Sequence, residues 1–225
     1  MIYFFDLDGT LLDHEHAQRG GISAMASCKG SLAAAIGGDF LGLWRRAEAK
    51  LFPRFERGEV TIEGYRRERL RVVFPSVCAE LPDSELDHIY AHYMNGYENN
   101  WRLYPDVAHV LPRLKGPRAL ITNGASVLQR AKIERLNIQQ LFSGIYISAE
   151  VGISKPDARL FHKACTDLGV TPAHAHYVGD SIRNDIEGSA SAGLAPVWIN
   201  REQAQRPHSE VAFREISSLE ELLLP

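Results

Sequence analysis

Five apolar residues, Met1-Ile-Tyr-Phe-Phe, run directly into Asp6-Leu-Asp8-Gly-Thr10. Such a run reads as a strand buried on both faces, and a buried strand ends in two carboxylates when something binds at its tip. Ligands of open α/β sheets dock at the carboxyl ends of the strands. Strand alternation predicts Asp6 and Asp8 on one side, where two like charges call for a cation. A solvated strand end closed by an Asx turn is the competing explanation. Three later junctions carry polar groups of a matching kind: Thr122-Asn123-Gly124, Ser154-Lys155-Pro156, and Gly179-Asp180-Ser181 followed by Asn184-Asp185. Carboxylates at 6 and 180, completed by a backbone carbonyl and water, suit a small hard cation. The Thr122 hydroxyl, nearby backbone N–H groups and the Lys155 ammonium suit phosphoryl oxygens, over which negative charge spreads during transfer. Lys155 also has plainer explanations, as a neutralising partner of the carboxylates or as an exposed residue before a helix at Pro156.

These groups converge only if a parallel sheet carries them. Strands are predicted over Ile2–Asp6, Arg118–Thr122, Gly144–Ser148, His176–Gly179 and Ala195–Ile199. Helices are predicted over Ser126–Leu136, Pro156–Leu168 (stopped by Gly169) and Ile182–Ala192, with a last short one at Leu219–Leu224. Strands alternating with helices indicate βαβ units, a parallel sheet and helices on both faces. The expected fold class is therefore α/β, a Rossmann-like parallel sheet flanked by helices, interrupted after its first strand by an α-helical insert.

The insert is read as helical nearly throughout, over Glu15–Lys29, Phe40–Phe55, Ile62–Val73 and Asp83–Tyr97, with Thr61 as a candidate cap and Pro82-Asp83-Ser84-Glu85 as a helix start. The expected division is a core of residues 1–14 and 100–225 and a cap of residues 15–99. The insert begins close to Asp6, a natural place for a lid. Gly20-Gly21 is expected to loosen or kink the first of these helices. Nine basic residues against five acids between Arg45 and Arg71 read mainly as a solvated, paired helix surface. Phe40, Trp44, Phe52 and Phe55 read as packing between helices of the insert.

Composition narrows the classes. The chain has 225 residues, 45% hydrophobic and 24% charged, with a net charge of −3, and so exerts no global pull on nucleic acid or anionic membrane. No apolar stretch is long enough to span a bilayer. Cys28, Cys78 and Cys165 lack metal-site spacing, and their odd number argues against a disulfide framework. The start of the chain lacks the pattern of a signal peptide, so a reducing cytoplasm is the expected location. His88 and His92 stand four apart on a predicted helix and read as surface or cap residues.

In their order and spacing, Asp6-Leu-Asp8-Gly-Thr10, Ile121-Thr122-Asn123-Gly124, Lys155-Pro156 and Gly179-Asp180-Ser181-Ile-Arg-Asn184-Asp185 resemble the motifs of the haloacid dehalogenase-like hydrolase superfamily. The chain is similar to its helical-cap phosphatases, the phosphoglycolate phosphatase-like branch. The resemblance implies a Mg²⁺-dependent phosphomonoester hydrolase acting on a small phosphorylated metabolite. It implies Asp6 as the nucleophile that becomes an aspartyl-phosphate, and Asp8 as general acid and then base. It implies Asp6, the Asp8 carbonyl and Asp180 around the metal, Asp185 supporting that shell or orienting Lys155, and Thr122, the Asn123 amide and Lys155 on the phosphate. True dehalogenases of this fold lack the acid at the position of Asp8. Sugar-phosphate mutases share all four motifs and stay open as an alternative, as does a metal- or phosphate-binding regulatory module without turnover. The expected partners are a small-molecule substrate, no nucleic acid and no membrane, with the protein a monomer or homodimer.

Overall fold

A computed structural model describes residues 1–206 and 208–224. They divide into two compact units, Met1–Asp13 with Arg102–Pro225 and the intervening His14–Trp101.

The first unit is built on a parallel sheet of β1 (Ile2–Phe5), β2 (Arg118–Thr122), β3 (Gly144–Ile147), β4 (Ala175–Gly179), β5 (Ala195–Ile199) and β6 (Arg214–Ile216), in the order β3-β2-β1-β4-β5-β6. β1 is central: Phe5 stands opposite Leu120 on one side and Val178 on the other. The chain crosses first toward β3 and later toward β6, so the order reverses beside β1, where α/β sheets open a crevice for ligands. Ile2 and Phe4 pack with Ala119, Ile121 and Tyr177 against Leu160, Phe161 and Ala164 of a covering helix.

Several boundaries depart from the sequence reading. β1 stops at Phe5, so Asp6 lies just beyond the strand. Ser148 starts a short helix instead of ending β3. The helix expected from Pro156 begins at Ala158, because the Asp157 carboxylate accepts the Arg159 N–H and sets the cap there. The single helix expected over 182–192 is a wide π-turn, Ile182–Glu187, followed by a short helix, Gly188–Ser191. Such widened turns recur at functional sites, and this one carries the buried Asp185. β6 is absent from the sequence reading, since three residues with one buried side chain show no period.

The second unit is the inserted helical cap: α1 (His14–Cys28), α2 (Gly30–Ala35), α3 (Phe40–Glu56), α4 (Ile62–Val73), α5 (Pro75–Cys78) and α6 (Asp83–Asn99). Gly20-Gly21 does not break α1. A Cβ at Gly21 would stand 2.6 Å from a Tyr93 ring carbon, so the glycine lets α1 and α6 approach closely. Thr61 caps α4 by accepting the Gly64 N–H. Trp44 is fully buried, and the Arg69 guanidinium lies 3.9 Å from its ring centre while Nη2 donates to Glu48 at 2.9 Å. The basic run is largely paired inside this unit: Arg45 with Glu15, Arg46 with Asp39, Arg54 with Glu68, and Arg67 with Asp83 and Asp87. Phe52 and Phe55 pack with Tyr65. His88 and His92 pair through Nε2 atoms 3.3 Å apart.

The remaining helices belong to the sheet unit: α7 (Pro105–Val110), α8 (Ser126–Arg135), α9 (Ser148–Val151), α10 (Ala158–Asp167) and α11 (Gly188–Ser191). The segments that leave and re-enter this unit are tied side by side, with the Asp13 N–H donating to Arg102 O and the Tyr104 N–H to Leu11 O, both at 2.9 Å. All three cysteines are free thiols. No helix among the described residues is long and apolar enough to cross a membrane.

Candidate active site

Asp6 leaves β1 with its N–H bonded to Val178 O, which fixes it between the ends of β1 and β4. Its carboxylate is buried and meets the Lys155 ammonium at 2.6 Å. The same ammonium lies 2.6 Å from Asp185 Oδ1 and 2.9 Å from the Tyr177 hydroxyl. Lys155 is itself buried, which removes its reading as an exposed residue. The peptide bond between Lys155 and Pro156 is cis. Asp180, at the end of β4, is exposed at the rim, and Gly9 makes room for it. Gly9 has φ +81°, and a Cβ there would lie 2.3 Å from Asp180 Oδ2.

Asp6, Asp180 and Asp185 each offer a carboxylate oxygen within 4.8 Å of the others. Three carboxylates facing the Lys155 ammonium carry a formal charge of −2. Like charges this close cannot all ionise without a counter-charge. Burial, opposed by Lys155 and reinforced by Asp185, pushes the Asp6 carboxyl up to about 7. The packed protein around Asp180, then the Asp185 and Asp6 charges, push its carboxyl well above the usual range. Burial alone would lower Lys155, but Asp185 and Asp6 outweigh it and hold the ammonium above its ordinary range. A hard divalent cation held by carboxylate oxygens matches both the donor set and the missing charge. The donor chemistry therefore fits a metal ion of the magnesium type.

Asp8 stands apart from this cluster. With β1 ended at Phe5, strand alternation no longer governs where its side chain goes. The Asp8 carboxylate takes the Lys132 ammonium at 2.7 Å on both oxygens, and Gln129 Nε2 lies 3.0 Å from Oδ2. Gln129 Nε2 also donates to the Thr122 hydroxyl at 2.7 Å. Thr122 is buried at the end of β2. The Asn123 side chain turns to the Lys155 backbone, donating to its carbonyl at 3.0 Å and accepting its N–H at 2.9 Å. It thereby ties the β2 loop to the loop that carries the buried lysine. Asp185 accepts the Ser181 N–H at 2.9 Å through Oδ2.

Asp6, Lys155, Asp180 and Asp185 thus meet in one cluster, while Asp8 and Thr122 share a second set of partners. Sequence reasoning missed Tyr177, Gln129, Lys132 and Ser148, whose hydroxyl accepts the Gly124 N–H at 3.0 Å. Two of them become visible only through their burial in the structure. Gln129 and Lys132 stand three apart on α8 beside Ile133, and these three are its buried residues. The Tyr177 hydroxyl donates to Ile121 O at 2.9 Å and lies beside Asp185, and burial, then Asp185, hold the phenol well above its usual range.

Among curated relatives, the phosphoserine phosphatase of Thermus thermophilus is 43% identical over 102 residues, covering 44% of this chain and 41% of that protein. The glyceraldehyde 3-phosphate phosphatase of Methanopyrus kandleri is 38% identical over 127 residues, covering 53% and 54%. The chain spans about half the length of these relatives or less. The magnesium-bound structure of YfnB from Bacillus subtilis shares the fold, with a TM-score of 0.79 at 22% identity over 98% of this chain and 96% of that one. The sequence model of the haloacid dehalogenase-like hydrolases matches residues 1–193, and the chain belongs to that family.

Proposed function

We propose that the protein is a Mg²⁺-dependent phosphomonoester hydrolase of small phosphorylated metabolites, working through an aspartyl-phosphate on Asp6. The observation that carries this reading is the cluster of Asp6, Asp180 and Asp185 with Lys155 at the central strand's end, two negative charges in excess. Asp6, the Asp8 carbonyl and Asp180 would hold the ion, and Asp185 would support it while orienting Lys155. When bound, Mg²⁺ supplies the positive charge that lets a phosphate dianion approach a carboxylate.

The protein's own groups do the rest. Lys155 donates to Asp6 Oδ1 and so restrains the rotation of the attacking carboxylate. Attack by Asp6 splits one difficult displacement into two easier ones. Thr122, the Asn123 amide and Lys155 receive the phosphoryl oxygens, whose charge grows during transfer. Asp8 gives a proton to the departing alcohol and then takes one from the hydrolytic water. Residues 15–99 serve as the cap domain and residues 1–14 and 100–225 as the core domain. That the relatives at 43% and 38% identity are phosphatases of phosphoserine and of glyceraldehyde 3-phosphate supports a small phosphate ester as substrate.

A phosphate-release screen over small phosphorylated metabolites, with and without Mg²⁺, tests the reading. Asp6→Asn is expected to lose hydrolysis by more than about 10³-fold while keeping the fold. Equal turnover of an activated aryl phosphate by wild type and Asp6→Asn would overturn it. Formation of an isomer without free phosphate would assign a mutase instead.

A further inference from the structure

Helix α8 buries two polar side chains where apolar ones would ordinarily pack, Gln129 at 1% and Lys132 at 2% exposure. Both aim at the same target. The Lys132 ammonium lies 2.7 Å from each Asp8 oxygen, and Gln129 Nε2 lies 3.0 Å from Oδ2. Gln129 is held in turn by the Thr122 hydroxyl at 2.7 Å and the Asn123 carbonyl at 3.1 Å. Burying a lysine is costly, and an apolar pair would seat the helix at lower desolvation cost. Two donors anchored on one rigid helix and converging on both oxygens of one carboxylate fix its rotation and aim.

We propose that Lys132 and Gln129 are positioning residues for Asp8, holding its carboxylate aimed to accept the proton of the hydrolytic water in the second half-reaction. The inference rests on the aspartyl-phosphate reading above. In that step the water oxygen bonds to phosphorus, the Asp6 Oδ–P bond breaks, the Asp6 carboxylate is restored, and the water proton passes to Asp8. The donors leave Asp8 presented as an acceptor, which is what this step needs. The first half-reaction on an ester with a good leaving group needs no proton from Asp8.

The two steps separate with p-nitrophenyl phosphate, whose nitrophenolate departs unaided. For Lys132→Met, kcat is expected to fall about 10- to 100-fold with KM falling in parallel, because the second step alone is slowed. Its kcat/KM stays within about threefold of wild type, and rapid mixing shows a nitrophenol burst close to one per enzyme. Lys132→Arg is expected to recover most of kcat. Gln129→Met gives the same pattern more weakly and serves as the readout if Lys132→Met does not fold. Loss of kcat/KM in step with kcat, an unchanged kcat, or absence of the burst overturns the inference. If wild type itself shows no Mg²⁺-dependent nitrophenol release, or Asp6→Asn retains it, the phosphatase reading fails instead.

Discussion

Replacing Lys155 with methionine keeps roughly the same volume and deletes the ammonium that lies 2.6 Å from both Asp6 and Asp185. Both carboxylates are buried, so the loss strands negative charge where water cannot reach it. Breaking a buried pair by removing one partner costs about 3–5 kcal/mol when the stranded group stays charged. These carboxyls can instead take up protons. Burial already holds Asp6 up to about 7 with Lys155 pulling it down, and deleting Lys155 drives it higher. A carboxyl raised in the folded state favours folding at pH below its unfolded value and loses that advantage as pH rises toward the folded value. The penalty is therefore small near pH 5 and grows toward pH 8, by at most about 1.4 kcal/mol per pH unit for each proton involved. A divalent cation supplies the missing charge, so excess Mg²⁺ should stabilise the variant more than wild type at the higher pH. At about 2–4 °C per kcal/mol, the variant in EDTA near pH 8 should melt about 6–20 °C below wild type. Thermal melts at the two pH values, each in EDTA and in Mg²⁺, measure all four corners. An equal deficit at both pH values, or a Mg²⁺ effect no larger than that of wild type, would refute the charge argument.

Gly9→Ala places a Cβ 2.3 Å from Asp180 Oδ2 at φ +81°, so the loop or Asp180 must move. On the proposed function, in which Asp180 would hold the ion, phosphate release should fall by about 10²-fold, with a melting loss of only a few degrees. A variant with wild-type kcat would contradict the packing of the loop on Asp180. Elsewhere in the sheet unit, Asp106 accepts from Arg201 Nη1 at 3.0 Å, from Ser218 Oγ at 2.9 Å and from the Leu219 N–H at 2.8 Å. Burial pushes its carboxyl up, but these donors, Arg201 foremost, win and hold it below the usual range. Its stabilisation is present above the unfolded carboxylate value and is lost as pH falls through the folded one. Asp106→Asn should cost about 2–3 kcal/mol near neutrality, and the gap to wild type in urea midpoint should close under acid conditions. A gap independent of pH would refute the assignment.

How far each residue was legible depends on whether its signal is local. β2 and β5 announce themselves as short apolar runs, and their limits agree with the structure. Asp6 and Asp180 stand where such runs stop, so the chain order of strands and breaks located them. The pairing of the basic run was legible in its mixed charge, but its partners were not, since Arg45 meets Glu15 and Arg54 meets Glu68 across helices. Lys132 and Gln129 give no such local mark. A lysine on a helix is ordinarily solvated, and only the turn of α8 toward Asp8, 124 residues away in sequence, buries it. Tyr177 hides for the opposite reason: inside an apolar strand it reads as one more core ring, and its hydroxyl gains meaning only once Lys155 and Asp185 arrive. β6 was invisible because it is an edge strand, and its pairing with β5 defines it more than its own three residues do.

The two acids of Asp-x-Asp receive different electrostatic surroundings because the strand stops before either of them. Had β1 run on through Asp8, alternation would have turned both carboxylates the same way and left them competing for one counter-charge. Stopping at Phe5, with Gly9 at φ +81°, frees Asp8 to meet Lys132 while Asp6 keeps Lys155. Asp6 is nearly sealed, whereas the Asp8 side chain keeps 24% exposure. A nucleophile benefits from desolvation and a fixed direction, while a proton acceptor must meet water. Separate lysines allow each acid its own orientation. On the proposed aspartyl-phosphate route the two lysine variants should therefore differ with p-nitrophenyl phosphate: losing Lys155 should abolish turnover from its first step, and losing Lys132 should stall it after that step.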